Sequence, residues 1–210
     1  MTDSMLVSQS ESVVLVGNGP SATSRRLGDR IDTFDVVVRF NRFVLLGYEP
    51  QIGTRTTIWA INGNHKVHAR TTPGNLERGV IVANPIRFGS GLPGDPVFYV
   101  RDRRDKAIER ATITGKPYEV VPEDVWEHVA RQMQRLTGSK RWGRPSTGSA
   151  LVEYLGTQER PVHLVGFDCF KGGKESHHYF PTEMNPGHHR AEWDEAFINQ
   201  AIADGKAVRL

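Results

Sequence analysis

The chain has 210 residues, of which 38% are hydrophobic and 24% are charged, and its formal net charge is +3. This length suits one substantial hydrophobic core rather than two independent enzymatic domains, and the composition excludes a disordered chain. The modest positive charge is compatible with an acidic substrate but does not by itself indicate nucleic acid.

The first residues and the cysteine content bear on where the protein acts. Residues 1–11 are polar and serine-rich, which predicts a flexible leader before a folded domain at residues 12–210. Cys169 is the only cysteine, so no intramolecular disulfide can form, which favours a reducing compartment. The sequence shows neither a secretory signal nor an apolar run long enough for a membrane span. We therefore expect a cytoplasmic protein.

A glycine loop follows the first predicted strand. Residues 13–16 are apolar and β-branched, which is typical of a parallel strand covered on both faces. Gly17, Asn18 and Gly19 then predict a sharp turn that a ligand can approach closely, and Ser21 can cap a helix that Gly28 ends. A strand, a glycine loop and a helix N-terminus in this order predict a phosphate-binding site.

The same loop fits a dinucleotide-binding fingerprint. Gly17, Gly19 and Ala22 match G-x-G-x-x-A, although that pattern alone is a weak signal. The fingerprint normally has an acidic residue after the second strand to hold a ribose hydroxyl. Here that strand, residues 35–40, carries Arg39, which suits a phosphorylated ribose instead. An NADP-dependent oxidoreductase is therefore one open interpretation.

Short strands and longer helices alternate through the middle of the chain. Turn signals bound the predicted strands at residues 56–61, 80–83 and 97–100. Charged residues dominate a predicted helix at residues 101–110, whereas the helix predicted at residues 123–136 carries its core contacts at helical spacing: Val125, Val129, Met133 and Leu136.

Basic residues in this region leave a nucleic-acid alternative open. Arg103, Arg104, Lys140 and Arg141 could hold a phosphate backbone in a nucleic-acid-directed sugar transferase. Acidic residues interleave with the arginines of the charged helix, however, so we favour a solvated helix face with internal ion pairs.

A second helix N-terminus is predicted near residue 146. Pro145 ends the preceding loop, Ser146 or Thr147 can cap a helix, and Gly148 permits close approach of a ligand. An apolar helix face at residues 150–155 and a strand at residues 162–165 follow. This arrangement again favours an anion.

Four of the eight histidines lie between residues 176 and 194. His188 and Glu192 are spaced i and i+4, which makes a zinc site conceivable. Neither histidine pair has the spacing of a closed structural zinc site, and no cysteines cluster nearby, so we predict no metal site.

The alternation of strand and helix signals predicts the fold class. We expect a single Rossmann-like α/β domain with a mostly parallel sheet and helices on both faces, whose loops open at the carboxyl edge. Trp193, Phe197 and Ile202 fit a last helix that packs on this sheet, and residues 208–210 fit an edge strand.

Ordered motifs across the chain resemble those of the sialyltransferase family, glycosyltransferase family 29. The long L motif is matched over about 45 residues of ordered pattern, the S motif at Pro145-Ser146-Thr147-Gly148, motif III at His178-Tyr179-Phe180, and the very short motif at His189 and Asp194. The residues that match the L motif are Val16, Gly17, Asn18, Gly28, Ile31, Asp32, Asp35, Val37, Arg39, Asn41, Gly47, Tyr48, Glu49, Gly53, Thr56 and Thr57.

This resemblance implies a GT-A-variant domain and a set of functional residues. Asn18 and Asn41 would hold a cytidine nucleotide, with Gly17 and Gly19 in the same loop. Ser146, Thr147 and Gly148 would bind its phosphate, Tyr179 would contact substrate, and the catalytic residues would be His178 and His189, the latter as general base. The family chemistry implies no cofactor and no divalent metal, in keeping with the lack of an Asp-x-Asp motif.

The activity implied is transfer of a sugar from a CMP-sugar donor, with inversion, to the hydroxyl of a glycan or other acceptor. The donor would be CMP-sialic acid or CMP-Kdo, which share the same activated form. The absence of an anchor sequence predicts a short soluble bacterial or viral relative. Beside this hypothesis and the two alternatives above, a non-catalytic nucleotide-binding module also stays open.

Overall fold

The computed structural model describes residues 4–64, 73–84, 87–88, 98–99, 104–139, 145–169, 178–181 and 191–210. Over these residues the strands are β1 Val13–Val16, β2 Val36–Phe40, β3 Thr56–Ile61, β4 Leu76–Val82, β5 Arg87–Phe88, β6 Phe98–Tyr99, β7 Tyr118–Val120, β8 Val162–Val165 and β9 Ala207–Arg209. The α-helices are α1 Gly28–Asp32, α2 Glu49–Ile52, α3 Arg104–Ile113, α4 Glu123–Thr137, α5 Thr147–Leu155 and α6 Ala191–Ala203.

Seven strands form one sheet in the order β7-β4-β3-β2-β1-β8-β9, and every neighbouring pair is parallel. The chain moves outward from β1 through β2, β3 and β4, and later returns to place β8 on the other side of β1. The strand order therefore reverses between β1 and β8. In sheets of this kind ligands bind at such a switch point, beyond the carboxyl ends of the strands.

Alternating side chains of the central strands bury both faces of the sheet. Val13 and Leu15 of β1 face a core formed with α4, α5 and α6. Val14 and Val16 face the opposite way, toward α1 and α2, and Trp59 of β3 continues this face toward α3. The expected single α/β domain with helices on both faces is confirmed.

Most predicted elements appear where the sequence indicates, with one informative difference. The glycine loop leads into a short 3-10 turn, Pro20–Thr23, and Gly28 begins α1 instead of ending a helix. A Cβ atom at Gly28 would overlap the carbonyl oxygen of Glu49. Gly28 is therefore required by the close crossing of α1 and α2 rather than by a helix end.

Part of the segment expected to be a flexible leader, residues 4–7, is instead held against the sheet. Leu6 and Val7 are buried, and the Glu119 carboxylate accepts hydrogen bonds from Ser4 Oγ at 2.5 Å and from the backbone amide of Met5 at 2.7 Å. Burial of these two apolar side chains stabilises the segment, although its sequence is otherwise polar and serine-rich. Among the described residues, no helix combines the length and apolar character needed to cross a membrane.

Candidate functional site

The loop after β1 packs directly on the loop after β8. The amide of Gly17 donates to Val165 O at 2.8 Å, and that of Gly19 donates to Gly166 O at 2.9 Å. The amide of Ser21 donates to the Asp168 carboxylate at 2.8 Å. These three amides bind the protein itself and are not available to a phosphate, so the phosphate site predicted at the glycine loop loses three of its donors.

The glycines of this loop are explained by the same contact. A Cβ atom at Gly17 or at Gly19 would lie 2.6 Å from the carbonyl oxygen of Gly166, far inside van der Waals distance. Gly166 itself has a φ of +68°, a left-handed conformation that favours glycine. The two loops can therefore approach this closely only because all three positions lack a side chain.

Asn18 connects the ends of β1 and β2. Its side-chain amide nitrogen donates to Phe40 O at 3.2 Å and to Arg42 O at 2.9 Å, and thus reaches across the backbone on either side of Asn41. Its Oδ1 is buried, and no described residue donates to it. A buried acceptor left without a donor is costly, so this oxygen is a candidate contact for a ligand hydroxyl or amino group.

Asn41 is fixed in an uncommon backbone conformation beside it. Its φ is +48°, its amide donates to Ala60 O at 2.7 Å, and its Oδ1 accepts from the Asn62 amide at 3.0 Å. Trp59 Nε1 donates to the Asn41 carbonyl at 2.7 Å. The structure thus brings Asn18 and Asn41 together at the carboxyl edge.

Ser146 caps α5, as predicted, and begins the second corner. Its Oγ accepts from the Ser149 amide at 3.1 Å. Thr147 and Gly148 form the first turn of the helix, whose N-terminus carries partial positive charge. This corner meets α6 through Asp194, which accepts from the Ser146 amide at 3.1 Å and from Ser149 Oγ at 2.5 Å.

The ring of Phe167 brings the two corners to one side of the molecule. A Cβ atom at Gly17 would lie 3.1 Å from Phe167 Cδ2, and one at Gly148 would lie 3.0 Å from Phe167 Cε1. Both corners therefore contact a single aromatic ring at the switch point. Phe40 also meets this ring edge-on, with the ring centroids 5.9 Å apart.

The segment of His178, Tyr179 and Phe180 lies against the Asn18 corner. The Tyr179 amide donates to Asn18 O at 2.9 Å, and its hydroxyl donates to Val44 O at 2.8 Å. Burial raises the pKa of this hydroxyl to about 12. The ring of His178 stacks on that of Phe180, with the centroids 5.1 Å apart. Tyr179 thus anchors the loop after β2, and its direct contact with a substrate stays a prediction.

Several residues singled out from the sequence lie outside the described residues, including Arg103, Lys140 and Arg141 of the nucleic-acid alternative. His189, predicted as the general base, and His188, weighed as a zinc ligand, also lie outside the described residues. Within the part of the chain that the structure describes, no group of three or more histidine, cysteine, aspartate or glutamate residues could hold a metal ion.

Arg39 does not face the site, which removes the NADP interpretation. Only 1% of its surface is exposed, and its guanidinium donates to Ile52 O at 2.7 Å and to Arg55 O at 2.8 Å. Burial lowers its pKa to about 10. A guanidinium buried on backbone carbonyls beneath α2 is not available to a ribose phosphate.

Sequence reasoning missed two contributors to the site. Phe167 and Asp168 directly follow the strand predicted at residues 162–165, and no role in the site was predicted for them. Their position could have indicated this role, because residues just after the strand that flanks the switch point reach the ligand crevice of such sheets.

The all-parallel sheet with helices on both faces defines a Rossmann-like α/β protein, a class that commonly binds nucleotides at its switch point. Sequence comparison identifies the family within this class. Residues 5–80 match the model of glycosyltransferase family 29 (sialyltransferase). The human alpha-N-acetylgalactosaminide alpha-2,6-sialyltransferase 2 is 31% identical over 206 residues, which cover 82% of this chain and 51% of that protein. The human type 2 lactosamine alpha-2,3-sialyltransferase is 46% identical over 44 residues, 21% of this chain and 13% of the relative.

Solved structures show the same fold. A mammalian sialyltransferase in complex with Gal-beta-1-3GalNAc-ortho-nitrophenol superposes with a TM-score of 0.62 at 19% identity, over 95% of this chain and 69% of that one. The sialyltransferase CstII from Campylobacter jejuni, in complex with cytidine-5'-monophosphate, gives 0.57 at 15% identity, over 97% and 81%. The chain belongs to glycosyltransferase family 29, the sialyltransferases. It spans about half the length of the first curated relative named above and 13% of the second.

Proposed function

We propose that this protein transfers a sialic-acid-type sugar from a CMP-sugar donor to an acceptor hydroxyl. The observation that carries this proposal is the buried Oδ1 of Asn18, which lacks a donor among the described residues and lies beside Asn41 at the switch point. A nucleoside supplies hydroxyl and amino donors of the kind that this oxygen needs. The match to the family over residues 5–80 includes both asparagines.

The phosphate of the nucleotide is assigned to the second corner. Three amides of the glycine loop are bound to β8 and its exit loop, whereas α5 presents its first turn at Ser146, Thr147 and Gly148 on the same aromatic ring. Phosphate is favoured at a helix N-terminus because of the amides and the helix dipole. The nucleoside would then lie near Asn18 and its phosphate near Gly148.

The reaction we propose is a single displacement at the anomeric carbon, which inverts its configuration. His189 takes the proton from the acceptor hydroxyl as the oxygen attacks, because an imidazole titrates near neutral pH. The bond from the sugar to the CMP phosphate breaks, and the negative charge that grows on CMP is met by the start of α5 and by His178. In this scheme protein donors replace a divalent metal.

The neighbours of His178 support this proposed role. Tyr179 binds the carbonyl of Asn18 through its amide, and Phe180, which stacks on His178, is 4% exposed. Tyr179 packs at the end of β1 on the face of the sheet opposite α5, and we propose that the imidazole of the adjacent His178 lies on the same side. We propose that the donor lies between these two sides.

Product mass measured after incubation with a panel of CMP-sugars and glycan acceptors tests this function. We expect transfer from CMP-sialic acid, or from CMP-Kdo if the pocket takes the shorter acid, without added metal and in the presence of a chelator. His189→Ala should lose at least about a hundredfold in rate while the fold is retained, since general-base catalysis contributes about that much. A wild-type protein that binds CMP but transfers no sugar from either donor would contradict the proposed activity.

A further inference from the structure

The N-terminus of α5 already has a carboxylate bound to it. Asp194, in the first turn of α6, is 2% exposed and accepts two hydrogen bonds from the start of α5, from the Ser146 amide at 3.1 Å and from Ser149 Oγ at 2.5 Å. Ser149 is 1% exposed, and its hydroxyl also accepts from Ser146 Oγ at 3.2 Å. The bonds are thus shielded from water, where charge-assisted hydrogen bonds are strong.

This carboxylate has two consequences for the corner at Ser146–Gly148. It fixes the first turn of α5 against α6, because both of its bonds join these helices. It also places negative charge at the end of α5 that would otherwise attract an anion most strongly. Burial raises the pKa of the Cys169 thiol to about 12, and the Asp194 carboxylate adds to the rise.

We propose that Asp194 is a positioning residue that sets the geometry of the phosphate corner and at the same time weakens its hold on the phosphate. This inference rests on the proposed function. A nucleotide phosphate at Gly148 would meet a helix dipole that Asp194 has partly offset, so that CMP, the product, leaves more readily. The first role strengthens phosphate binding and the second weakens it, so substitutions that remove one role at a time can separate them.

The calorimetric affinity for CMP divided by that for cytidine measures how much the phosphate contributes to binding. Asp194→Asn keeps an oxygen that accepts from Ser149 but removes the charge, so the ratio should rise roughly fivefold, the size of a charge–dipole interaction at a helix end. Ser149→Ala keeps the charge but removes the bond that holds the corner, so the ratio should fall about threefold or more.

Asp204→Asn is the matched control, because it removes the same charge just beyond the other end of α6. It should leave the ratio unchanged. An unchanged or lower ratio in Asp194→Asn, an unchanged ratio in Ser149→Ala, or a rise in Asp204→Asn equal to that in Asp194→Asn would each overturn the inference. If Asp194→Asn fails to fold, the Ser149→Ala ratio decides. A wild-type protein that binds CMP no better than cytidine would refute the proposed phosphate corner, and this inference with it.

Discussion

At the scale of single residues, Asn18 provides the main support for the proposed nucleotide site. Its amide nitrogen is used twice to join β1 to the loop after β2, while its buried oxygen has no donor among the described residues. The sequence identified this residue from its motif. The motif could not show that the nitrogen and the oxygen of this side chain have different partners. The carbonyl groups that accept from the nitrogen belong to the end of β2 and to the loop after it.

Replacement of Asn18 tests both tasks. Asn18→Ala should weaken CMP binding at least about tenfold through the lost ligand contact, and lower the free energy of unfolding by about 1–2 kcal/mol through two lost hydrogen bonds. Asn75→Ala is the matched control, since Asn75 also donates to a backbone carbonyl, Thr54 O at 2.7 Å, but before the start of β4. Calorimetry and denaturant unfolding measure the two effects. Equal CMP affinity in both variants would contradict a ligand role for Asn18.

Tyr179 provides a prediction on pH. Burial raises its pKa to about 12, whereas a tyrosine in an unfolded chain titrates near 10. The neutral hydroxyl therefore contributes its full stability below about pH 10, and this contribution is lost as the pH rises from about 10 to about 12. Tyr179→Phe should be less stable than wild type by about 1 kcal/mol near pH 7, where the bonds to Val44 are lost.

The difference between the two proteins should shrink across that window. Denaturant unfolding of both proteins at about pH 8 and about pH 11 compares them directly. Titration of Cys169 and of other groups affects both equally, so it cancels in the difference. A constant difference over this range would show that burial does not raise the pKa of Tyr179.

At the scale of elements, the two loops at the switch point act as one unit. The glycine loop was predicted from its sequence, yet its purpose differs from the prediction: its glycines admit the backbone of the β8 exit loop rather than a phosphate. A local sequence pattern shows where a backbone is approached closely, but not by what. The second corner at Ser146 was predicted correctly as a helix cap, because capping depends on residues close in sequence.

Substitution of a glycine in this unit should therefore affect stability strongly. Gly17→Ala places a Cβ atom against the backbone oxygen of Gly166, which no rotamer can relieve, and we expect a loss of about 2 kcal/mol or more in the free energy of unfolding. Gly74→Ala is the control, since nothing lies within 4 Å of a Cβ atom there, and its effect should stay within about 0.5 kcal/mol. Similar values for the two variants would contradict the packing that we describe.

At the scale of the whole molecule, the sequence was sufficient for the fold class but not for every segment. Apolar runs without alternation predicted the buried parallel strands, and helical spacing predicted α4 with Val125, Val129 and Met133 in the core. The strand order is a tertiary property, so the reversal between β1 and β8 was visible only in the structure. The same holds for residues 4–11, whose buried pair Leu6 and Val7 is too short to form a periodic pattern.

The proposed site depends on this topology more than on any one motif. The segment around Asn18 lies more than a hundred residues before those around Ser146 and His178, yet it meets contacts of both because their strands and helices end at the same edge. Phe167 contacts two of these segments directly, and Tyr179 contacts the first. The proposed crevice, with a nucleoside end and a phosphate end, would lie between these segments.

Calorimetric titration of the wild-type protein with CMP, in parallel with NADP, tests this central claim most directly. We predict one CMP site per chain, bound more tightly than cytidine, and no binding of NADP, because the only arginine placed for its phosphate by the fingerprint is buried on backbone carbonyls. Binding of NADP without binding of CMP would contradict the account.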